Sequence, residues 1–100
     1  MNDAKRSKVI TQARTIVMTY ERYAAATPSP VAETTMTKGT LDTALTASTA
    51  LKDYSGDLAN TDMIDEGVTI DKCRKITDGK ETPKLLANNK WDGTFVTTGD

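Results

Sequence analysis

The sequence contains no histidine and only one cysteine, Cys73. Without histidine, the chain has no Ser–His or Cys–His catalytic pair and no imidazole general base. A single cysteine cannot form an intrachain disulfide, and it cannot supply the ligands of a structural zinc site. Neither Gly-rich phosphate-binding pattern, G-x-x-x-x-G-K-[ST] or G-x-G-x-x-G, occurs. These absences predict a protein that is not an enzyme, with no catalytic residue and no cofactor.

The carboxylates do not form a calcium-binding pattern either. An EF-hand loop needs oxygen ligands at its positions 1, 3 and 5 and glycine at position 6. A loop that starts at Asp57 has Ala59 at position 3, and one that starts at Asp62 has Ile64 there. We interpret this acidic part of the chain as a solvated loop and predict no metal site.

Large apolar residues are also scarce, since Leu, Ile, Val and Phe together number 17 in 100. That fraction lies below the roughly 20% at which chains begin to look disordered. Disorder of this kind also needs high net charge, and the net charge here is −1. We therefore expect one small domain over residues 1–100 that folds with a thin core. A chain of this length with a thin core often gains stability from a partner chain, which predicts self-association.

The sequence predicts no membrane segment. The N-terminal residues are not followed by the apolar stretch of a signal peptide. No apolar run approaches the roughly 18 residues that span a bilayer. We expect a soluble protein that is cytoplasmic or is incorporated into a particle assembled there.

The strongest pattern is an amphipathic helix over residues 3–26. At 100° per residue, its apolar side chains fall within a sector roughly 140° wide. We predict that this stripe is either the buried seam of the chain or the face that meets a partner. The main members of the stripe are Val9, Ala13, Ile16, Val17, Tyr20 and Tyr23.

The opposite side of this helix carries Thr11, Thr15 and Thr19 in an i, i+4 row beside Met18. A solvated face more commonly carries Glu and Lys, so an uncharged row suits a second packing surface. A Thr-rich solvent face is the alternative. The pattern leaves both interpretations open.

A second, weaker helical stripe over residues 41–55 predicts a helical hairpin with the first helix. An acidic loop region, residues 57–71, follows the second helix. Residues 68–76 fit either a strand or a short helix, and Thr69 as N-cap favours the helix. The Thr-Pro pair at 82–83 predicts a further short helix over 83–89.

The C-terminal residues 90–100 have a different character. Asp92–Gly93 is a pair favoured in tight hairpins, and the residues that follow have β character. We predict a small β-hairpin or an extended tail anchored by Trp91 and Phe95, because an isolated hairpin is marginally stable and must dock on something. The predicted fold class is therefore mainly α, with a helical hairpin, short C-terminal helices and this tail.

Charge is unevenly distributed along the chain. Residues 1–26 carry five basic and two acidic side chains, and residues 27–71 carry two basic and eight acidic ones. Such patches can pair within one chain or between copies, and the sequence does not separate these arrangements. The candidate contacts are Lys5, Arg6 and Lys8 on the basic side and Asp57, Asp62, Asp65 and Glu66 on the acidic side.

Together these features predict a structural or assembly subunit that acts through protein–protein contacts, with copies of itself as the expected partner. The composition, with 18 threonines, 11 alanines and no histidine, is similar to that of phage and virus structural subunits, although no motif supports the similarity. The alternative is a small regulator or inhibitor that binds another macromolecule through a charged patch. Weak nucleic-acid binding is less favoured because the middle of the chain is acidic.

Overall fold

Four α-helices form the framework of the computed structural model, which describes residues 3–88 and 90–96. Helix α1 spans Asp3–Ala26, α2 Lys38–Thr46, α3 Ser55–Leu58 and α4 Ile70–Thr77. A 3-10 turn, Lys52–Tyr54, leads directly into α3. Within the described residues, β pairing is limited to three isolated bridges. The predicted fold class, mainly helical with α1 and α2 as the two longest helices, is confirmed.

Helix α1 has the bounds that its periodicity predicts. It makes its most extensive contact with α4 and smaller contacts with α3 and α2. The apolar stripe therefore faces the other helices of the same chain, and the rest of the core is built against it. The stripe residues Val9, Ala13, Ile16, Val17, Tyr20 and Tyr23 are between 0% and 7% exposed.

Residues 70–77 form helix α4, which resolves the ambiguity of that segment. Ile70, Cys73 and Ile76 lie three residues apart on one face, and all three are buried. Thr69 is the N-cap residue, although its hydroxyl donates to the Asp71 carboxylate and does not cap a backbone N–H. Packing of this apolar face on α1 decides the conformation, since a strand would have turned alternate residues away from the core.

The prediction of a second helix over 41–55 is wrong in its bounds. Helix α2 begins earlier because Thr37 and Thr40 form a capping box at its N-terminus. It ends at Thr46, whose hydroxyl donates to the Thr43 carbonyl. Thr and Ser side chains that bond local carbonyls compete with the helical ladder, and such residues are dense here. Ser55, the last residue of the predicted helix, instead begins α3.

The predicted short helix over 83–89 is absent from its described residues, because 82–86 run extended beside 90–96. Lys84 N–H donates to the Thr94 carbonyl at 3.0 Å, and Val96 N–H donates to the Thr82 carbonyl at 2.8 Å. These pairs join residues ten and fourteen apart in the chain, so a local Thr-Pro signal could not reveal them. Pro83 is tolerated because it needs no N–H for this pairing.

The Asp92–Gly93 pair does not form the predicted hairpin turn. It makes a bend inside the second extended segment, where the Thr94 N–H donates to the Asp92 carboxylate at 3.2 Å. Gly93 has a φ of +98°, a conformation that L-residues rarely adopt. The prediction of an extended, docked tail therefore fits residues 90–96, and residues 97–100 lie outside the described part.

Two tyrosines of α1 fix the loop between α1 and α2. The Tyr20 hydroxyl donates to the Val31 carbonyl at 2.7 Å, and the Val31 N–H donates to the Tyr23 hydroxyl at 3.1 Å. Both polar groups of one loop residue are thus bonded to buried aromatic side chains. The loop is held against α1 although it has no regular structure of its own.

We expect the double variant Tyr20→Phe/Tyr23→Phe to lower the free energy of unfolding by about 1–3 kcal/mol, since a net hydrogen bond contributes roughly 0.5–1.5 kcal/mol. Urea unfolding followed by circular dichroism measures the change. Tyr54→Phe is the matched control, because the Tyr54 hydroxyl has no hydrogen bond with the described residues. Equal stability of the double variant and the control would contradict the role of the tyrosine pair.

Candidate interaction surfaces

The predicted apolar seam is not an accessible surface of the folded chain. All six of its residues belong to one buried cluster, which also contains residues of α2, α4 and the C-terminal segment. The Tyr20 and Tyr23 rings lie 5.8 Å apart within it. The alternative in which this face meets a partner would require the chain to open.

The predicted tail anchors are docked on the chain itself. Trp91 is fully buried, and Phe95 is partly buried with its ring centroid 6.0 Å from that of Trp91. The Trp91 backbone is bonded on both sides, donating to the Met63 carbonyl at 2.7 Å and accepting from the Asp65 N–H at 2.9 Å. This segment completes the core that the helices begin.

The predicted basic contacts lie in the first turns of α1. Lys5 and Lys8 are exposed, whereas Arg6 is half-buried. The Arg6 Nε is shielded from solvent and has no hydrogen-bond partner among the described residues. The two lysines remain available for contact with another molecule.

Three of the four predicted acidic residues bond to other groups of the chain, and the fourth is exposed without such a bond. Asp57 forms an ion pair with Arg22 at 3.3 Å, in which both side chains are nearly half exposed, so its contribution to stability is small. Asp62 accepts a long hydrogen bond of 3.4 Å from Gln12, and Asp65 accepts from a backbone N–H nearby. Glu66 is exposed.

A cleft of about 520 Å³ is lined by residues of α2, α3 and the turn that follows α3. Three carboxylates, those of Asp42, Asp62 and Glu66, line it. Asp42 was not among the residues predicted to make contacts, because it lies on α2 and far in sequence from the other two. Only the folded chain brings the three together.

Lys38 also lines this cleft, and its ammonium group donates hydrogen bonds to backbone carbonyls. Lys38 Nζ donates to the carbonyls of Thr61 at 2.5 Å and Ile64 at 2.9 Å. Burial lowers the pKa of Lys38, and nearby carboxylates, Glu66 first, act in the opposite direction. The side chain joins the start of α2 to the turn after α3. The carboxylates of Asp42 and Glu66 have no hydrogen bond or ion pair with the described residues.

An ion-pair network that the sequence did not predict surrounds Arg74. Its Nε lies 2.5 Å from a Glu33 oxygen, and its Nη1 lies 3.2 Å from a Glu21 oxygen. The hydrogen bond to Glu33 is the main reason why the pKa of Arg74 is raised. The network joins α4 to α1 and to the loop after α1. No local pattern signals it, because the three residues are far apart in the chain.

The outer side of α1 carries a row of exposed residues that do not pack on the rest of the described chain. Met18 lies at its centre and is 49% exposed. The predicted threonine row is divided, because Thr11 is exposed, Thr15 is half-buried and Thr19 is buried. Thr19 donates to the Thr15 carbonyl at 2.8 Å, so its hydroxyl is satisfied within the helix.

Among residues 3–88 and 90–96, no group of three or more Cys, Asp and Glu side chains is placed to hold a metal ion. None of the helices in that part of the chain has both the length and the apolar character of a membrane span. Comparison of the chain with protein-family models, curated proteins and solved structures found no match.

Proposed function

We propose that this chain is a non-enzymatic subunit that acts through protein–protein contacts and associates with copies of itself. Structural components of particles, including virus particles, are built from such subunits. The chain buries its own apolar residues, so the contacts would be made by the exposed polar and charged faces of the folded domain.

The observation that supports this proposal most is the outer face of α1. The helix has 24 residues, which corresponds to a length of about 36 Å at 1.5 Å per residue. One side of it packs on the core, and the other side carries an exposed methionine among small and polar residues. A long and unpartnered helix face is a surface on which a second helix can pack.

The distribution of exposed charge supports association as well. Lys5, Lys8 and Arg14 are exposed on α1, whereas Asp42 and Glu66 are exposed around the cleft. Opposite charges on different elements allow one copy to attract another, and such attraction weakens as salt screens it. The net charge of −1 means that copies are not kept apart by overall repulsion.

Light scattering of the purified chain over a dilution series, at low and at high salt, tests the proposal. We expect the mass to rise above the 10.8 kDa of one chain as concentration increases, and to fall at high salt. A folded monomer at every concentration and at both salt levels would overturn self-association.

A second candidate function is the binding of a basic macromolecule at the acidic cleft. The observation that favours it is that the carboxylates of Asp42 and Glu66 accept no hydrogen bond and form no ion pair with the described residues. Calorimetric titration with a Lys- and Arg-rich peptide tests it. Binding that is lost in the Asp42→Asn/Glu66→Gln variant supports this function, and the absence of heat at low salt contradicts it.

A further inference from the structure

We infer that the outer face of α1 packs antiparallel against α1 of a second copy, with a twofold axis beside Met18. The inference rests on the proposed self-association and names the surface and the geometry that would carry it. The occupant of the face is thus a second copy of this chain.

The face consists of six exposed residues spaced alternately by four and three positions. This spacing is that of a heptad seam and keeps the residues in one stripe along a helix. Most of the stripe is small or uncharged, which lets a second helix approach closely, and Met18 supplies an adaptable apolar contact at its centre. The six residues are Ser7, Thr11, Arg14, Met18, Glu21 and Ala25.

The two charged residues of the stripe determine the direction of pairing. Arg14 and Glu21 lie at equal distances on either side of the midpoint between residues 17 and 18. In an antiparallel pair, Arg14 of each copy lies level with Glu21 of the other, which gives two opposite-charge contacts. A parallel pair would place Arg14 against Arg14 and Glu21 against Glu21, and like charges at a contact are unfavourable.

Both side chains are available for these contacts. Arg14 is exposed and has no hydrogen bond or ion pair with the described residues. Glu21 uses one oxygen to bind Arg74 at 3.2 Å, yet its side chain remains 57% exposed. The charge pattern is therefore self-complementary, as an isologous interface requires.

The ends of α1 give an independent argument for the antiparallel direction. Lys5 and Lys8 lie near the N-terminus, where the helix dipole disfavours cations, and the last turn has no basic residue. In the antiparallel pair, Lys8 of each copy, which flanks the stripe, lies beside the C-terminal end of the other helix, whereas Lys5 is on the far side of α1. Each copy then supplies the positive charge that the other lacks at that end.

The other large apolar residues that are exposed in the described part of the chain offer no comparable surface. Val31 lies in the loop after α1, and Leu86 lies in the C-terminal segment. Each is a single apolar residue, which is normal on the surface of a folded domain. The α1 face is mostly polar and about one helix wide, so the dimer is of the small, transient class. Its population should depend strongly on concentration.

Oxidative cross-linking of the Met18→Cys variant tests the geometry. The twofold axis brings the two introduced thiols together, and a disulfide needs Cα atoms within about 7 Å. Ala25→Cys is the matched control on the same stripe, because the antiparallel pair separates its two thiols by about 20 Å along the axis at 1.5 Å per residue. The native Cys73 is buried, so the unmodified chain serves as the blank.

We expect Met18→Cys to form covalent dimer on the order of tenfold faster than Ala25→Cys, in line with the distance limit of a disulfide. An equal mixture of Thr11→Cys and Ala25→Cys should give the mixed dimer, since these positions lie at nearly the same level in the antiparallel pair. Cross-linking of Ala25→Cys as fast as that of Met18→Cys, or faster, would indicate a parallel pair, in which both positions face their own counterparts, and would overturn the inference.

Charge reversal separates this inference from the proposed function. Arg14→Glu places two carboxylates together at each charged contact and should weaken the dimer on the order of tenfold in light scattering. Lys52→Glu changes the net charge equally at an exposed site off α1 and should leave the dimer intact. Association that persists in Arg14→Glu, together with a Met18→Cys variant that does not cross-link, would refute the α1 pairing but keep self-association. Monomers throughout would refute both.

Discussion

Replacing Trp91 by alanine is expected to lower the free energy of unfolding by about 3–5 kcal/mol, the usual cost of truncating a fully buried large aromatic residue. The Trp91 ring has no exposed surface and contacts the ring of Phe95. Its Nε1 donates to the Thr94 carbonyl at 2.6 Å, so the substitution also removes one of the two hydrogen bonds that this carbonyl accepts, the other coming from the Lys84 N–H. Domains of this size have total stabilities of roughly 5–15 kcal/mol, so the loss is a large fraction.

Urea unfolding monitored by far-ultraviolet circular dichroism measures this loss, because the variant has no tryptophan left to report by fluorescence. Phe95→Ala is the matched control and should cost clearly less, since Phe95 is only partly buried. We expect the helical signal of the Trp91→Ala chain in water to stay near that of the parent. A cost equal to that of Phe95→Ala would show that the C-terminal segment is not part of the core.

The extent to which this fold could be predicted differs from one segment to the next, for physical reasons. Helix α1 was predicted with its observed bounds, because 24 consecutive residues repeat one apolar pattern and a local rule suffices. A helix was predicted over 83–89, but residues 82–86 are extended, because their conformation is fixed by pairing with residues 90–96. Likewise, α4 was ambiguous until its Ile70–Cys73–Ile76 face met α1.

The candidate surfaces also differ in whether a local sequence pattern or a contact between distant residues defines them. The apolar stripe of α1 could be identified from the sequence, but whether it meets the same chain or another depends on the remaining residues. Only Thr11 and Met18 of the outer stripe of α1 were identified from the sequence, because small residues such as Ser7 and Ala25 add nothing to an apolar pattern. The acidic cleft could be identified only from the structure, because the contact of α2 with the turn after α3 brings Asp42 and Glu66 together.

The stability of the protein should also fall steeply at alkaline pH because of Cys73. This side chain is fully buried in the face of α4 that packs on α1. Burial raises the pKa of the thiol from 9.0 to about 12, with a smaller contribution from the nearby Asp71 charge. The folded chain therefore keeps the thiol protonated in a pH range where the unfolded chain releases the proton.

The direction of the effect follows from proton linkage. Below pH 9 the thiol is protonated in both the folded and the unfolded state, so it does not change the stability. Between pH 9 and about 12 the unfolded state binds fewer protons than the folded state. Stability therefore decreases as the pH rises through this range. The raised pKa of Tyr20, caused mainly by burial, acts in the same direction above its ordinary value of 10.0. The lowered pKa of Lys38 acts in the opposite direction, because the folded chain loses that proton first.

Comparison of the parent with Cys73→Ala isolates the thiol. A shift of about three pKa units corresponds to about 4 kcal/mol at roughly 1.36 kcal/mol per unit, so the parent should lose about 4 kcal/mol more than the variant between about pH 8 and pH 12. Each protein is compared with itself across pH, by urea unfolding, so the cost of the small cavity in Cys73→Ala cancels. The contribution of Tyr20 is common to both chains and cancels as well, and Cys73 is the smallest of the influences on the pKa of Lys38. Parallel stability curves for the two proteins would mean that the thiol ionises in the folded chain, and that α4 opens from α1 more readily than its burial implies.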